Sequence, residues 1–225
     1  MGQKIRKIIA LLHRAYGRPR PWRRTDPVDE LVRTVLSQNT NDRNSLAAFA
    51  ILKRAFRSWK GVLDVDTRRL ARLIRHAGLA NIKAARIKGI LEEIRRREGE
   101  ITLSSLKSSD IRHSLEYLTS LKGVGPKTAS CVLLFSFGKP VMPVDTHIFR
   151  VAKRLGLIEA DSDIAEAHRI LTGAVPKSLI YEFHLGIIEH GRRTCRARDP
   201  RCGECLLYRV CRFDKKEFFS KRGQR

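Results

Sequence analysis

An all-α protein is the fold class this sequence predicts, and three observations predict it. From Asp29 onward, apolar residues recur at three- and four-residue spacing. No run of alternating apolar and polar residues is long enough to make a sheet. Glycines and capping residues punctuate the periodic stretches as helix ends require. The 225 residues are 42% hydrophobic, enough to bury one large core or two small ones.

The first helix is "MGQKIRKIIALLHRAYG", where Ile5, Ile8, Ile9 and Leu12 fall on one face. Charges interrupt its apolar residues and no small-residue cleavage site follows, so it reads as a packing helix and not as a signal peptide. "GRPRPWRRTDP", residues 17–27, is rich in proline and arginine and reads as a linker. Helical periodicity then covers Leu31 to Leu36, Ser45 to Phe56, Thr67 to His76, Ile82 to Arg97 and Asp110 to Leu118. Gly61, Gly78, Gly99 and Gly156 are expected to follow helix ends, and Asp161 and Ser178 to precede helix starts as N-caps. "KKEFFSKRGQR" at the end reads as a frayed basic tail.

Charge narrows the function. Lysine and arginine number 46 against 23 acidic residues, a formal charge of +23 spread along the whole chain. That points to a polyanionic partner, and no apolar run approaches the ~20 residues of a membrane span. With no secretion signal, the expected compartment is a reducing cytoplasm, with nucleoid association in a prokaryote.

In "SLEYLTSLKGVGPKTASCVLLFSF" a helical run ends near Leu121, a glycine turn follows, and a second helix begins at Pro126. Proline at the first helical position forgoes only an N–H that has no intrahelical partner. Gly123 and Gly125, either side of Val124, can take positive φ and leave backbone N–H groups uncovered for a phosphate. A P-loop is excluded, because no strand precedes the turn and its glycines are too closely spaced. Two helices joined by "GVG" resemble the helix-hairpin-helix, which grips a nucleic-acid backbone without reading bases; an ordinary αα-hairpin is the plainer alternative.

Four of the five cysteines crowd into "CRARDPRCGECLLYRVC": Cys195, Cys202, Cys205 and Cys211. In a reducing compartment such spacing indicates a metal site more than disulfides. Tetrahedral zinc and a [4Fe–4S] cluster both accept four cysteines, but only one pair here has the two-residue spacing typical of zinc knuckles, so the spacing favours iron–sulfur. Arg196, Arg198, Arg201 and Arg209 make the same loop a candidate phosphate contact. Cys131, alone on an apolar helix face, reads as a core residue.

The turn and the cysteines together resemble the endonuclease III family of DNA repair glycosylases, within the helix-hairpin-helix-Gly-Pro-Asp superfamily. The likeness runs in order through "VLSQNTND", "AGLANIKAARI", "LKGVGPKTAS", "MPVDTHIFRV" and the cysteine loop, from roughly Asp29 to Cys211. It implies two helical domains: a six-helix bundle over 25–137 with the hairpin at about 114–137, and a domain from 1–24 plus 138–225 that carries a [4Fe–4S] cluster on loop 195–211. A DNA-binding cleft between them is part of the same implication. Lys127 is then the amine nucleophile and Asp145 the catalytic carboxylate. Gln38, Asn39 and Leu79 fall on loops that fill the gap left by an extruded base; ungapped alignment puts Asn39 where such relatives usually carry glutamine, with Gln38 one residue before.

These roles suit the residue types. An amine at the positive end of a helix, among arginines, is disfavoured as a cation, and a nucleophile must be neutral. Its attack on the sugar C1′ expels the base and leaves a Schiff base, from which β-elimination cleaves the strand. Asp145 opens "DTHIFRVAKRLGL" and suits an N-cap as well as a group that stabilises a cationic sugar. His147, two residues on, is placed to donate to a phosphate. The expected function is therefore base excision repair: a bifunctional glycosylase and abasic-site lyase acting, as a monomer, on oxidised pyrimidines in double-stranded DNA. The alternatives are a mismatch or alkylated-base glycosylase of the same fold and a non-catalytic helix-hairpin-helix binder; RNA binding has only the charge behind it, without an aromatic platform.

Overall fold

The computed structural model describes residues 1–222, in which twelve α-helices and several 3-10 turns form the regular structure and no strand occurs. The chain divides into two compact units, Arg23–Lys139 and Met1–Trp22 with the chain from Pro140 onward.

The central unit contains α2 (Pro27–Ser37), α3 (Asp42–Ala55), α4 (Trp59–Asp64), α5 (Thr67–Leu73), α6 (Ala80–Glu98), α7 (Ile111–Ser120) and α8 (Pro126–Phe137). Its middle is α8, which buries Thr128 through Leu134 without interruption, as a helix enclosed on all sides must. The largest facing surface is that of α2, whose Leu31, Val35 and Leu36 are inaccessible to solvent. Each such side chain contributes about 1.5–3 kcal/mol on burial, and truncating one to alanine costs about 2–5 kcal/mol. Side-chain caps fix the starts: Asp26 accepts from Val28 N and Asp29 N, Asn41 from Asn44 N, Asp66 from Arg68 N and Arg69 N, and Asp110 from His113 N.

The other unit contains α1 (Gly2–Tyr16), α9 (Thr146–Leu155), α10 (Ile164–Ala174), α11 (Ile180–Arg193) and α12 (Lys216–Arg222). Ile5, Ile8, Ile9 and Leu12 are all buried, on the face the sequence assigned, and α1 packs them on α11. Opposite, α9 buries Ile148, Val151, Ala152 and Leu155.

Four local expectations are corrected. Gly61 lies inside α4 and ends nothing, since the preceding helix stops at Ala55 with Phe56 as its cap. Asp163, not Asp161, caps α10 by accepting from Glu166 N, because only it stands three residues before that N–H. Ser178 lies within a 3-10 turn, Lys177–Leu179, that leads directly into α11. The basic tail is helical over Lys216–Arg222, where Phe219 stacks on Phe213 and meets Phe218 edge-on; the last three residues lie outside the described chain.

Candidate nucleic-acid interface and catalytic residues

The hairpin turn connects α7 to α8. Val124 is buried and anchors it, while Gly123 and Gly125 are exposed. Gly123 has φ +88°, but Gly125 has φ −93° and serves as the extended N-cap residue of α8. The difference has a cause: the residue before a proline is held extended, which denies Gly125 the left-handed region. A Cβ at Gly123 would stand 2.3 Å from Nε of Arg86, so that side chain would have to swing aside.

Lys127 is the second residue of α8, half-buried at the end where backbone N–H groups have no helical acceptor. Its amine lies within electrostatic reach of the Cys131 thiol one turn along and of Glu30 on α2. Cys131 is a core residue, its thiol pushed up to about 11 by burial. Glu30 is 1% exposed, and Arg33 donates to both of its oxygens at 2.6 and 2.7 Å. Burial nevertheless outweighs that guanidinium and raises the carboxyl above its usual range.

The loop after α2 is tied to this turn. Gln38 donates through Nε2 to Gly123 O at 3.3 Å and to Thr128 Oγ1 at 3.4 Å, while its Oε1 accepts from Arg86 at 2.5 Å. Asn39 behaves differently: it is exposed and left-handed, with φ +53°. Leu79, which precedes α6, is likewise left-handed at φ +48° and 54% exposed, and Ile82 one turn on is exposed beside it. Beneath these loops Lys83 is buried, its amine donating to Leu36 O at 2.7 Å and Ala77 O at 2.6 Å. Burial, then the nearby Arg86, lowers its pKa from the ordinary lysine value.

In the other unit, Asp145 caps α9: its Oδ1 accepts from Ile148 N at 2.8 Å. The capping expectation is thus met with one oxygen, and the half-exposed carboxylate keeps its second oxygen clear of the cap. His147 is held by Arg150, whose guanidinium also donates to Gly191 O at 2.8 Å and Cys195 O at 3.1 Å. One turn later Arg154 donates to Arg196 O at 2.7 Å and approaches Cys195 Sγ at 3.3 Å. Two arginines on α9 therefore fasten the cysteine loop to the helix that Asp145 opens.

Cys195, Cys202, Cys205 and Cys211 line a single, mainly apolar pocket with Leu155, Leu207 and Phe213. Burial, with the neighbouring thiols adding, raises Cys202 and Cys211, and Cys205 reaches about 12. Phe213 N–H points at Cys211 Sγ at 3.5 Å, and His190 Nε2 lies 3.8 Å from Cys205 Sγ. Among the described residues no three His, Cys, Asp or Glu side chains are gathered closely enough to chelate one metal ion, and no helix is long and apolar enough to cross a membrane.

Sequence reading missed Glu30, Arg33, Lys83, Arg86, Arg150 and Arg154. One had a visible signal: Lys83 stands in register with Ala84, Ile87, Leu91 and Ile94 on the buried stripe of α6, where a lysine is out of place unless it has acceptors.

A family model for HhH-GPD superfamily base excision DNA repair proteins matches residues 32–177. Endonuclease III of Thermotoga maritima is 34% identical over 206 residues, 92% of this chain and 90% of that one. A relative from Arabidopsis thaliana, named a candidate DNA glycosylase, is 38% identical over 165 residues, 73% of this chain and 56% of its own, so the chain spans little more than half of it. Among solved structures, a non-covalent Endonuclease III–DNA complex superposes with a TM-score of 0.81 at 27% identity, covering 99% of this chain and 98% of that one. A trapped Endonuclease III–DNA covalent intermediate superposes with a TM-score of 0.80 at the same identity.

Proposed function

This chain belongs to the HhH-GPD superfamily of base excision DNA repair proteins, as an endonuclease III-like DNA glycosylase and abasic-site lyase, and from that premise we propose that it excises oxidised pyrimidines from double-stranded DNA with Lys127 as nucleophile. The observation that carries the assignment is Lys127 itself, half-buried in the first turn of α8, directly after the Gly123–Gly125 turn.

The chain's own residues account for each step. Exposed backbone at Gly123 and Gly125, with the free N–H groups at the start of α8, receives a phosphate and brings the deoxyribose to the amine. The Lys127 amine attacks C1′ as the bond to the base breaks. The departing base takes the bonding electrons and the proton that the attached amine gives up; the C1′–O4′ bond then breaks, O4′ taking that electron pair and a proton from solvent, as the nitrogen forms the protonated Schiff base with C1′ and keeps its last hydrogen. Loss of a C2′ proton then expels the 3′ phosphate by β-elimination. Asp145 supplies negative charge where the sugar becomes cationic and accepts protons during attack. Asn39, free of internal ties, is our choice over Gln38 for the residue that meets the orphaned base, because Gln38 is spent on Gly123, Thr128 and Arg86. Leu79 wedges into the stack beside it, which offsets part of the few kcal/mol that extrusion costs.

A [4Fe–4S] cluster is the group we assign to Cys195, Cys202, Cys205 and Cys211. Those four thiolates would hold the cluster, which would supply a structural staple for the loop between them. Four thiols about one apolar pocket, with N–H donors aimed at them, suit that arrangement. Bound there, it would staple the loop and present Arg196, Arg198 and Arg201 to phosphates.

Borohydride trapping against a panel of duplexes, each with one lesion, tests the reading. Covalent capture on oxidised pyrimidines is expected; no capture on any lesion or on an abasic site would end it.

A further inference from the structure

We propose that Lys83 is a positioning residue for base extrusion, holding the Asn39 loop and the Leu79 loop in fixed relation from beneath. The proposal rests on the reading of Asn39 and Leu79 given above.

Three bonds make the case. The Lys83 amine donates to Leu36 O at 2.7 Å and to Ala77 O at 2.6 Å, and its backbone N–H donates to Leu79 O at 2.9 Å. Leu36 is the penultimate residue of α2, three before Asn39; Ala77 ends a 3-10 turn, two before Leu79. Carbonyls at helix ends lack intrahelical donors and carry the negative end of the dipole. One ammonium therefore satisfies two helix ends, and from each end an exposed loop departs.

A purely structural demand would not select this residue. Lys83 is 2% exposed and shares the buried stripe of α6 with Ala84, Ile87 and Ile94. Methionine or leucine would fill that place without the cost of desolvating a charge. Lysine adds directional donors that a hydrocarbon cannot supply.

The loops above need such a tie. Asn39, Leu79 and Asp199 are the non-glycine residues with positive φ among those described, and two of the three stand on these loops. Left-handed backbone at such residues persists only where the surroundings over-determine it. Exposed side chains cannot hold each other by packing, so restraint must come from below. Arg86, one turn further along α6, extends the same support to Gln38 and crosses over Gly123. Helix α6 thus braces both extrusion loops and the hairpin turn that precedes Lys127.

The test is Lys83→Met, which keeps length and apolar stem and removes the donors. Two rates are compared with wild type: release of an oxidised pyrimidine from duplex DNA, and borohydride trapping on a single-stranded oligonucleotide with a preformed abasic site. The single strand has no stack to wedge and no orphaned base to hold, so loop position is irrelevant there. Duplex release should fall about 10- to 100-fold, the usual result of a small misplacement, with single-strand trapping within about twofold of wild type. A fluorescent base analogue opposite the lesion should also lose its emission change on binding. Equal falls in both rates would make the lysine merely structural and overturn the proposal, as would undiminished duplex release. If Lys83→Met does not fold, Lys83→Gln, which keeps two donors but shortens their reach, is judged by the same pair of rates. Leu79→Ala separates the failures. If it leaves duplex release unchanged, the reading of Leu79 fails and the proposal with it; if it slows release while Lys83→Met does not, the proposal alone fails.

Discussion

Asp145→Asn separates a cap from a catalytic carboxylate, because the two roles differ in magnitude as well as in kind. The cap is one hydrogen bond, Oδ1 to Ile148 N at 2.8 Å, and asparagine caps about as well as aspartate, so the variant should lose at most about 0.5 kcal/mol. Asp145→Ala removes the cap outright and should cost about 1 kcal/mol, or roughly 2–4 °C of melting temperature for a chain of this length. Catalysis works on a larger scale. A positioned acid–base group contributes about 10²–10⁴ in rate, which corresponds to roughly 2.7–5.4 kcal/mol of barrier at 1.36 kcal/mol per decade. Single-turnover base release from duplex DNA should therefore fall by at least two decades in Asp145→Asn while the melting temperature stays within about 1–2 °C of wild type. Strand cleavage at a preformed abasic site, where no glycosidic bond remains to break, should keep more of its rate. Wild-type base release in Asp145→Asn, with a loss only in Asp145→Ala that follows its lower melting temperature, would refute the catalytic role and leave the cap.

Lys127→Gln should abolish base release and borohydride trapping together yet still bind an uncleavable abasic analogue; loss of that binding as well would mean a structural role. The two turn glycines should part company. Gly123→Ala forces an L-residue to φ +88° against Arg86 and should lose about 1–2 kcal/mol of stability, read by chemical denaturation. Gly125→Val, facing open space, should leave stability near wild type and weaken binding to all duplex sequences alike. Affinity should follow salt with a log–log slope of roughly −4 to −5 for about five neutralised phosphates; a flat dependence would contradict a phosphate-gripping turn. Anaerobically prepared protein should carry about four irons per chain in the wild type and lose them in Cys202→Ala, with stoichiometric zinc in place of iron as the contrary result.

Most of the fold was legible because helix periodicity and helix ends are local. Ile5, Ile8, Ile9 and Leu12 declared their face at fixed spacing, and Gly78, Gly99 and Gly156 follow helices as expected. The misplaced caps share one origin. An N-cap is defined by reaching the N–H two or three residues on, so Asp161 and Asp163 are indistinguishable until the first turn of α10 is located. Gly61 misled for the converse reason: a glycine inside a six-residue helix looks the same in sequence as one that ends a longer helix.

The candidate site divides along a similar line. Lys127, Asp145 and the four cysteines belong to contiguous motifs whose spacing is itself the signal. Their supports do not, since those bonds join a side chain to the main chain of a distant segment: Lys83 to Leu36 O, 47 residues away, and Arg150 to Cys195 O, 45 residues away. A carbonyl oxygen is the same in every residue, so no pattern of residue types can announce it as an acceptor. What sequence can announce is the donor's misfit, a cation in an apolar register, and Lys83 meets that description while Arg150 and Arg154, at the edge of an amphipathic helix, do not. The choice between Gln38 and Asn39 needed one step more. Both are short polar amides on one loop, and the ties that Gln38 makes to Gly123, Thr128 and Arg86 are the reason we propose Asn39 for that role.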